Sequence, residues 1–121
     1  MEKSRSEHYE QAAFMQRVEW LTPGLRPFVF AVPNGGKRSK RTAITLRAEG
    51  VTAGVPDLWV MLPRHGFHAL AIEMKRADVE RPADNQDEFH RLLRAQGYCV
   101  VVASGVEAAW AAFDLYTREN P

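Results

Sequence analysis

A single cysteine, Cys99, stands in this chain of 121 residues, so it can form no internal disulfide and frame no cysteine-based zinc site. The histidines, His8, His65, His68 and His90, are scattered without the paired spacing of a zinc centre. No apolar run approaches the roughly 18 residues that a membrane-spanning helix needs. The stretch from Met1 to His8 is polar, where a secretory leader would be basic and then apolar. A Gly-x-Ser-x-Gly elbow and a Gly-x-Gly-x-x-Gly fingerprint are both missing, which leaves triad hydrolases and dinucleotide enzymes without support. These absences lead to the expectation of a protein of the reducing cytoplasm that does not enter the membrane.

What the chain does contain is average for a folded domain: 45% apolar residues, 26% charged, and 16 Lys+Arg against 15 Asp+Glu. Its length fits one domain over residues 1–121, with a single core and one cleft. The charge is unevenly spread. Residues 1–36 carry four basic and four acidic side chains, residues 37–64 six and two, and residues 65–121 six and nine. A basic middle segment of this kind can meet a polyanion locally, or can simply be a solvated surface.

Periodicity predicts a helix from Ser6 to Leu21, with Phe14, Val18 and Leu21 on one stripe and Ser6 as its cap. Thr22-Pro23-Gly24 ends it, a strand follows over Phe28 to Val32, and Pro33-Asn34-Gly35-Gly36 turns the chain. A second helix is expected over Ser39 to Glu49, with Ala43, Leu46 and Arg47 on one side. Strands over Asp57 to Leu62 and His68 to Lys75 are joined at Pro63-Arg64-His65-Gly66 and read as antiparallel neighbours. Phe89, Leu92, Leu93 and Gln96 mark a helix ending at Gly97, Tyr98 to Ala103 a strand covered on both faces, and Val106, Ala109, Trp110, Phe113 and Tyr116 a last helix. Trp20, Trp59 and Trp110 read as packing residues, and Cys99 as part of the core. The order α-β-α-β-β-α-β-α, with no internal repeat, is that of one α/β layer structure.

The chemistry concentrates at Pro56-Asp57, where one strand starts, and Glu73-Met74-Lys75, where the next ends. Side chains alternate along a strand, so Glu73 and Lys75 share a face and Met74 points the other way. A hairpin would set Asp57 against the end of the second strand, and two carboxylates beside an ammonium suit Mg²⁺ or Mn²⁺ and the activation of water at a phosphodiester. The plainer alternative is a surface ion pair between Glu73 and Lys75 on an edge strand. Glu10 lies on the apolar stripe of the first helix, where a carboxylate needs a partner, although it could also be an ordinary first-turn acid. Gln86 opens the helix after Lys75, either holding the lysine or a water or merely solvated. Asn34, Lys37, Arg38, Lys40 and Arg41, with Arg47 further along, join two glycines to cations at a helix start, which is suited to a phosphate backbone or left as a solvated loop. This is no nucleotide P-loop, because Ala31 and Arg38 stand where Gly and Ser/Thr are required.

In order and spacing, Glu10-Gln11, Pro33-Asn34-Gly35-Gly36, Gly54-Val55-Pro56-Asp57-Leu58, Glu73-Met74-Lys75, Gln86 and Gly97-Tyr98 resemble the VRR-NUC (virus-type replication-repair nuclease) family. The match runs from about Glu7 to Tyr116. The resemblance implies a PD-(D/E)xK, restriction-endonuclease-like fold, with a central mixed four-stranded sheet flanked by helices. It also implies a Mg²⁺- or Mn²⁺-dependent DNA endonuclease. By position, Asp57 and Glu73 would be metal ligands, Lys75 the catalytic lysine, Glu10 an accessory carboxylate and metal ligand, and Gln86 the glutamine of the following helix. Met74 departs from the usual branched aliphatic residue between Glu and Lys. Small stand-alone members are similar to Holliday-junction resolvases, which implies a homodimer acting on branched DNA in a bacterial or phage-infected cell; others are fused to larger repair proteins such as the Fanconi-anaemia-associated nuclease. Two other readings use the same residues differently, as a non-catalytic nucleic-acid-binding module or as an accessory subunit of a repair or replication complex.

Overall fold

The computed structural model describes residues 6–33, 40–78 and 87–118. Helix α1 (Glu7–Leu21) starts where Ser6 Oγ accepts the Tyr9 N–H at 3.1 Å, and it buries Glu10, Phe14 and Val18, spaced four residues apart. Trp20 falls outside that stripe and is 71% exposed, and Leu21 in the last turn is 65% exposed, so neither packs as expected. Two residues beyond Val18, Trp20 is turned roughly 200° around the helix, away from the sheet. The chain then makes a 3-10 turn over Pro23–Phe28, which hydropathy periodicity does not foretell, before strand β1 (Val29–Ala31).

Helix α2 (Lys40–Ala48) forms close to its expected position, but Ala43, Ile44 and Arg47 are exposed and only Leu46 is partly buried. Its expected packing side is therefore not covered. Strand β2 (Leu58–Val60) and strand β3 (Leu70–Lys75) run antiparallel, α3 (Asp87–Ala95) crosses over, and β4 (Cys99–Ser104) lies parallel to β3 before α4 (Val106–Thr117). The sheet has the order β1-β2-β3-β4, with β1 antiparallel to β2, so β3 is an interior strand. This is the expected mixed four-stranded sheet flanked by helices.

Alternation along the strands sends Val29, Leu58, Val60, Leu70, Ile72, Met74 and Ala103 to one face, where Phe14 and Val18 of α1 and Ala109, Phe113 and Tyr116 of α4 close a buried core. Met74 is fully buried there, so an unbranched residue is absorbed by packing rather than by the polar face. Phe113 meets Phe14 edge-on at 5.6 Å and Trp110 at 5.3 Å. Tyr116 donates its hydroxyl to the Leu62 carbonyl at 2.8 Å, and burial pushes its phenol above the usual value. Helix α3 contributes nothing to this core and packs on the opposite face, against β4. Cys99 packs at the edge of the core, and burial raises its thiol above the ordinary value. No helix among the described residues is long and apolar enough to cross a membrane.

Candidate active site

On the face away from the core, the β2–β3 pairing brings together the residues that sequence spacing singled out. Leu58 pairs with Ile72, and continuing that register by one residue places Asp57, just before β2, at the level of Glu73. Strand β2 begins just after Pro56, which has no N–H to offer the ladder. Just beyond it, the Asp57 carboxylate gives the ladder an extra acceptor, as the Met74 N–H donates to its Oδ2 at 2.9 Å. Local sequence thus fixes the aspartate: proline opens the ladder and the following side chain closes it.

Glu73 and Lys75 point the same way, with Lys75 Nζ 3.7 Å from Glu73 Oε2 and the lysine and glutamate side chains 12% and 5% exposed respectively. Two charged groups in the middle of a sheet are costly to desolvate, so this is not the surface ion pair of an edge strand. At the same end of the sheet the β1 strand stops, with the Val32 N–H donating to the Asp57 carbonyl at 2.8 Å. The chain is therefore beside Asp57 at Val32. Asn34, Lys37, Arg38 and Gln86 lie outside the described residues, as do the side chains of Lys40 and Arg41.

Glu10 approaches this end of the sheet from the core side. It is 2% exposed, and its Oε2 accepts the Val106 N–H at 3.1 Å, capping α4 from another helix. The residue at the cap position, Gly105, has no side chain to offer and a left-handed φ of 90°. A Cβ there would sit 2.8 Å from Glu10 Oε2, so glycine is what lets the carboxylate in. Sequence reasoning named Glu10 but missed Gly105 and the Val106 N–H. The signal was an apolar helix preceded by glycine in place of Ser, Thr, Asp or Asn, which leaves N–H groups that a distant acid must satisfy. Gly105→Ala is expected to lower stability by about 1–3 kcal/mol through positive φ and this clash. Urea denaturation checks it, and an unchanged midpoint would contradict the capping geometry.

Among the described residues no three of Asp, Glu, His and Cys gather into a metal-holding group. Asp57 and Glu73, at the same end of the β2–β3 pair, offer only oxygen donors. Mg²⁺ is commonly held by one or two carboxylates, with waters and substrate phosphate completing its shell, so this pair fits that class of ion and does not fit zinc.

The sequence matches no family model and no curated protein. Among solved structures, the fold is similar to one titled "VRR_NUC domain protein", with a TM-score of 0.83 and 26% identity over 96% of this chain and 91% of that one. That likeness over nearly the whole chain supports a nuclease-like domain. The fold and the ordered motifs agree, and both liken this chain to VRR-NUC domains.

Proposed function

We propose that this domain is a divalent-metal-dependent endodeoxyribonuclease that hydrolyses phosphodiester bonds in branched DNA. The observation that carries the reading is the placement of Asp57, Glu73 and Lys75 on one face of two paired strands, with the Glu73–Lys75 pair almost wholly withdrawn from water. Asp57 and Glu73 would hold Mg²⁺ or Mn²⁺, which supplies Lewis acidity at the phosphate and a more acidic bound water. Water attacks phosphorus in line, the bond to the leaving sugar oxygen breaks, and the products are a phosphomonoester and a free hydroxyl. The Lys75 ammonium orients the attacking water or offsets charge building on the phosphoryl oxygens, held in place by Glu73. Met74 N–H fixes the Asp57 carboxylate, so it would present its free oxygen to the cation already oriented. Glu10 supports the site as an accessory carboxylate at the α4 N-terminus, and Gln86 contacts the lysine or the water.

Substrate binding draws on phosphate contacts from Asn34, Lys37, Arg38, Lys40, Arg41 and Arg47, which read shape more than sequence. A two-fold homodimer would deliver paired cuts to a four-way junction. The deciding experiment incubates the protein with labelled four-way junction, flap, linear duplex and single strand, each in Mg²⁺, Mn²⁺ or EDTA. Metal-dependent cutting concentrated in the branched substrates is expected. Binding without cleavage in any metal would replace the enzyme with a non-catalytic DNA-binding module. Neither binding nor cleavage would favour an accessory subunit.

Charge reversal of Lys37 and Arg38 is expected to weaken DNA binding across all sequences and to reduce the salt slope by about one for each phosphate that is no longer neutralised. Titrations at several salt concentrations test this, and an unchanged slope would remove the basic segment from the interface.

A further inference from the structure

The face that carries Asp57 and Glu73 does not stop at them. Moving back along the strands, the next row holds Phe30, Trp59, Ala71 and Val100, which the registers set side by side across β1, β2, β3 and β4. One row further lie Phe28 and Met61, tied by the Met61 N–H to the Phe28 carbonyl at 2.8 Å. Helix α3 packs against β4, whereas among the described residues no α-helix makes more than marginal contact with β1 or β2. The aromatic half of the face is accordingly open. Phe28 is 44%, Phe30 45% and Met61 47% exposed. Trp59 is part-buried, its ring braced edge-on by Tyr98 at 6.0 Å and 83° over the small side chain of Ala71.

We propose that Phe30 and Trp59 form a stacking platform for an unpaired nucleobase attached to the phosphate that a cation held by Asp57 and Glu73 would seat. The inference rests on the nuclease reading and extends it to what the enzyme selects. Rows two residues apart on a strand are separated by about 6.6 Å. That is the reach of a nucleoside from its own phosphate, so a backbone seated at the carboxylates delivers its base to these rings. Every base has a π-face, so such a platform distinguishes unpaired from paired nucleotides and is indifferent to sequence. A base inside an intact duplex is already stacked and cannot lie on the sheet. A base at a junction, flap or nick can, which gives a structural basis for choosing branched DNA. Continuity with the carboxylates on the same face is what selects a nucleobase as occupant over a second protein surface.

The test uses the wild type, Phe30→Ala and Phe30→Trp in Ca²⁺, a hard cation that carboxylates can hold, with gels run on the same samples to verify that the probes stay intact. The probes are a single-stranded oligothymidylate, an abasic strand of the same length and charge, and a blunt duplex. The wild type is expected to bind oligothymidylate about tenfold or more tighter than the abasic strand. Phe30→Ala should lose most of that ratio while holding its affinity for the abasic strand, and Phe30→Trp should keep it. Phe30 is an exposed edge residue, and thermal melts monitored by circular dichroism establish that each variant is folded. A thymidylate preference that is missing in the wild type, or undiminished in Phe30→Ala, overturns the platform. Loss of a sedimenting dimer in Phe30→Ala with the preference intact also overturns it, by assigning the patch to an interface between copies. If the strands bind equally with a common salt slope, only the platform falls. If no probe binds the wild type, the nuclease reading falls as well.

Discussion

Asp57→Asn is expected to fold normally and to lose at least about 10²-fold in cleavage rate, the scale seen when one electrostatic group is removed from a phosphoryl- or acyl-transfer site. Asparagine keeps an oxygen for the Met74 N–H, so the strand end stays closed while the charge proposed to hold a cation is gone. Asp57→Ala removes both and should add a stability loss of about 1–3 kcal/mol, because a backbone donor is left unsatisfied. Comparing the two separates chemistry from folding. Lys75→Met should be equally inactive, but it strips the counter-charge from a glutamate that is only 5% exposed, so it should also destabilise the domain. The double variant Glu73→Gln with Lys75→Met should recover that stability without recovering activity. Single-turnover cleavage and urea midpoints on these four proteins decide the matter. Turnover of Asp57→Asn within a few-fold of the wild type would remove the carboxylate pair from the reaction.

The second large effect is on the fold. Phe113→Ala empties a fully buried site where α4 meets Phe14 of α1 and the Trp110 ring. The expected cost is about 3–5 kcal/mol. Set against a total of roughly 5–15 kcal/mol for a domain, that is enough to leave a sizeable unfolded fraction at physiological temperature. Trp20→Ala removes a larger ring that is 71% exposed and should stay within about 0.5 kcal/mol of the wild type. Paired denaturation curves test both at once, and equal midpoints for the two variants would refute the α1–α4 core. The Arg17–Glu107 ion pair across the same helices adds little, since Glu107 is 78% exposed and solvent screens it.

Much of the site was legible because its determinants are local. Pro56 and Asp57 announce a strand start, Glu73-Met74-Lys75 a polar face on an otherwise apolar strand, and the turn at Pro63-Arg64-His65-Gly66 between them suits a hairpin. Given a hairpin, alternation alone decides which side chains meet. The same arithmetic put Met74 in the core and Phe14, Val18, Ala109, Phe113 and Tyr116 on buried stripes. Trp20, Leu21 and the inner side of α2 failed for the opposite reason. Apolar character gives a residue reason to be buried, but only neighbouring elements supply the cover, and among the described residues these positions receive little of it.

Residue types and spacings determined the order of elements, the antiparallel β2–β3 pair, the partnership of Glu73 with Lys75 and the family resemblance, because each depends on residues within a few positions or on the fixed periods of helix and strand. Only the tertiary structure decided that β3 is interior, which turns the Glu73–Lys75 pair from a surface ion pair into a desolvated one. It alone joined Glu10 to the Val106 N–H across 96 residues, with Gly105 making the room. It alone left the β1–β2 half of the site face open beside the carboxylates. Burial and cross-chain packing come from the way distant segments stack, and no local period encodes that stacking.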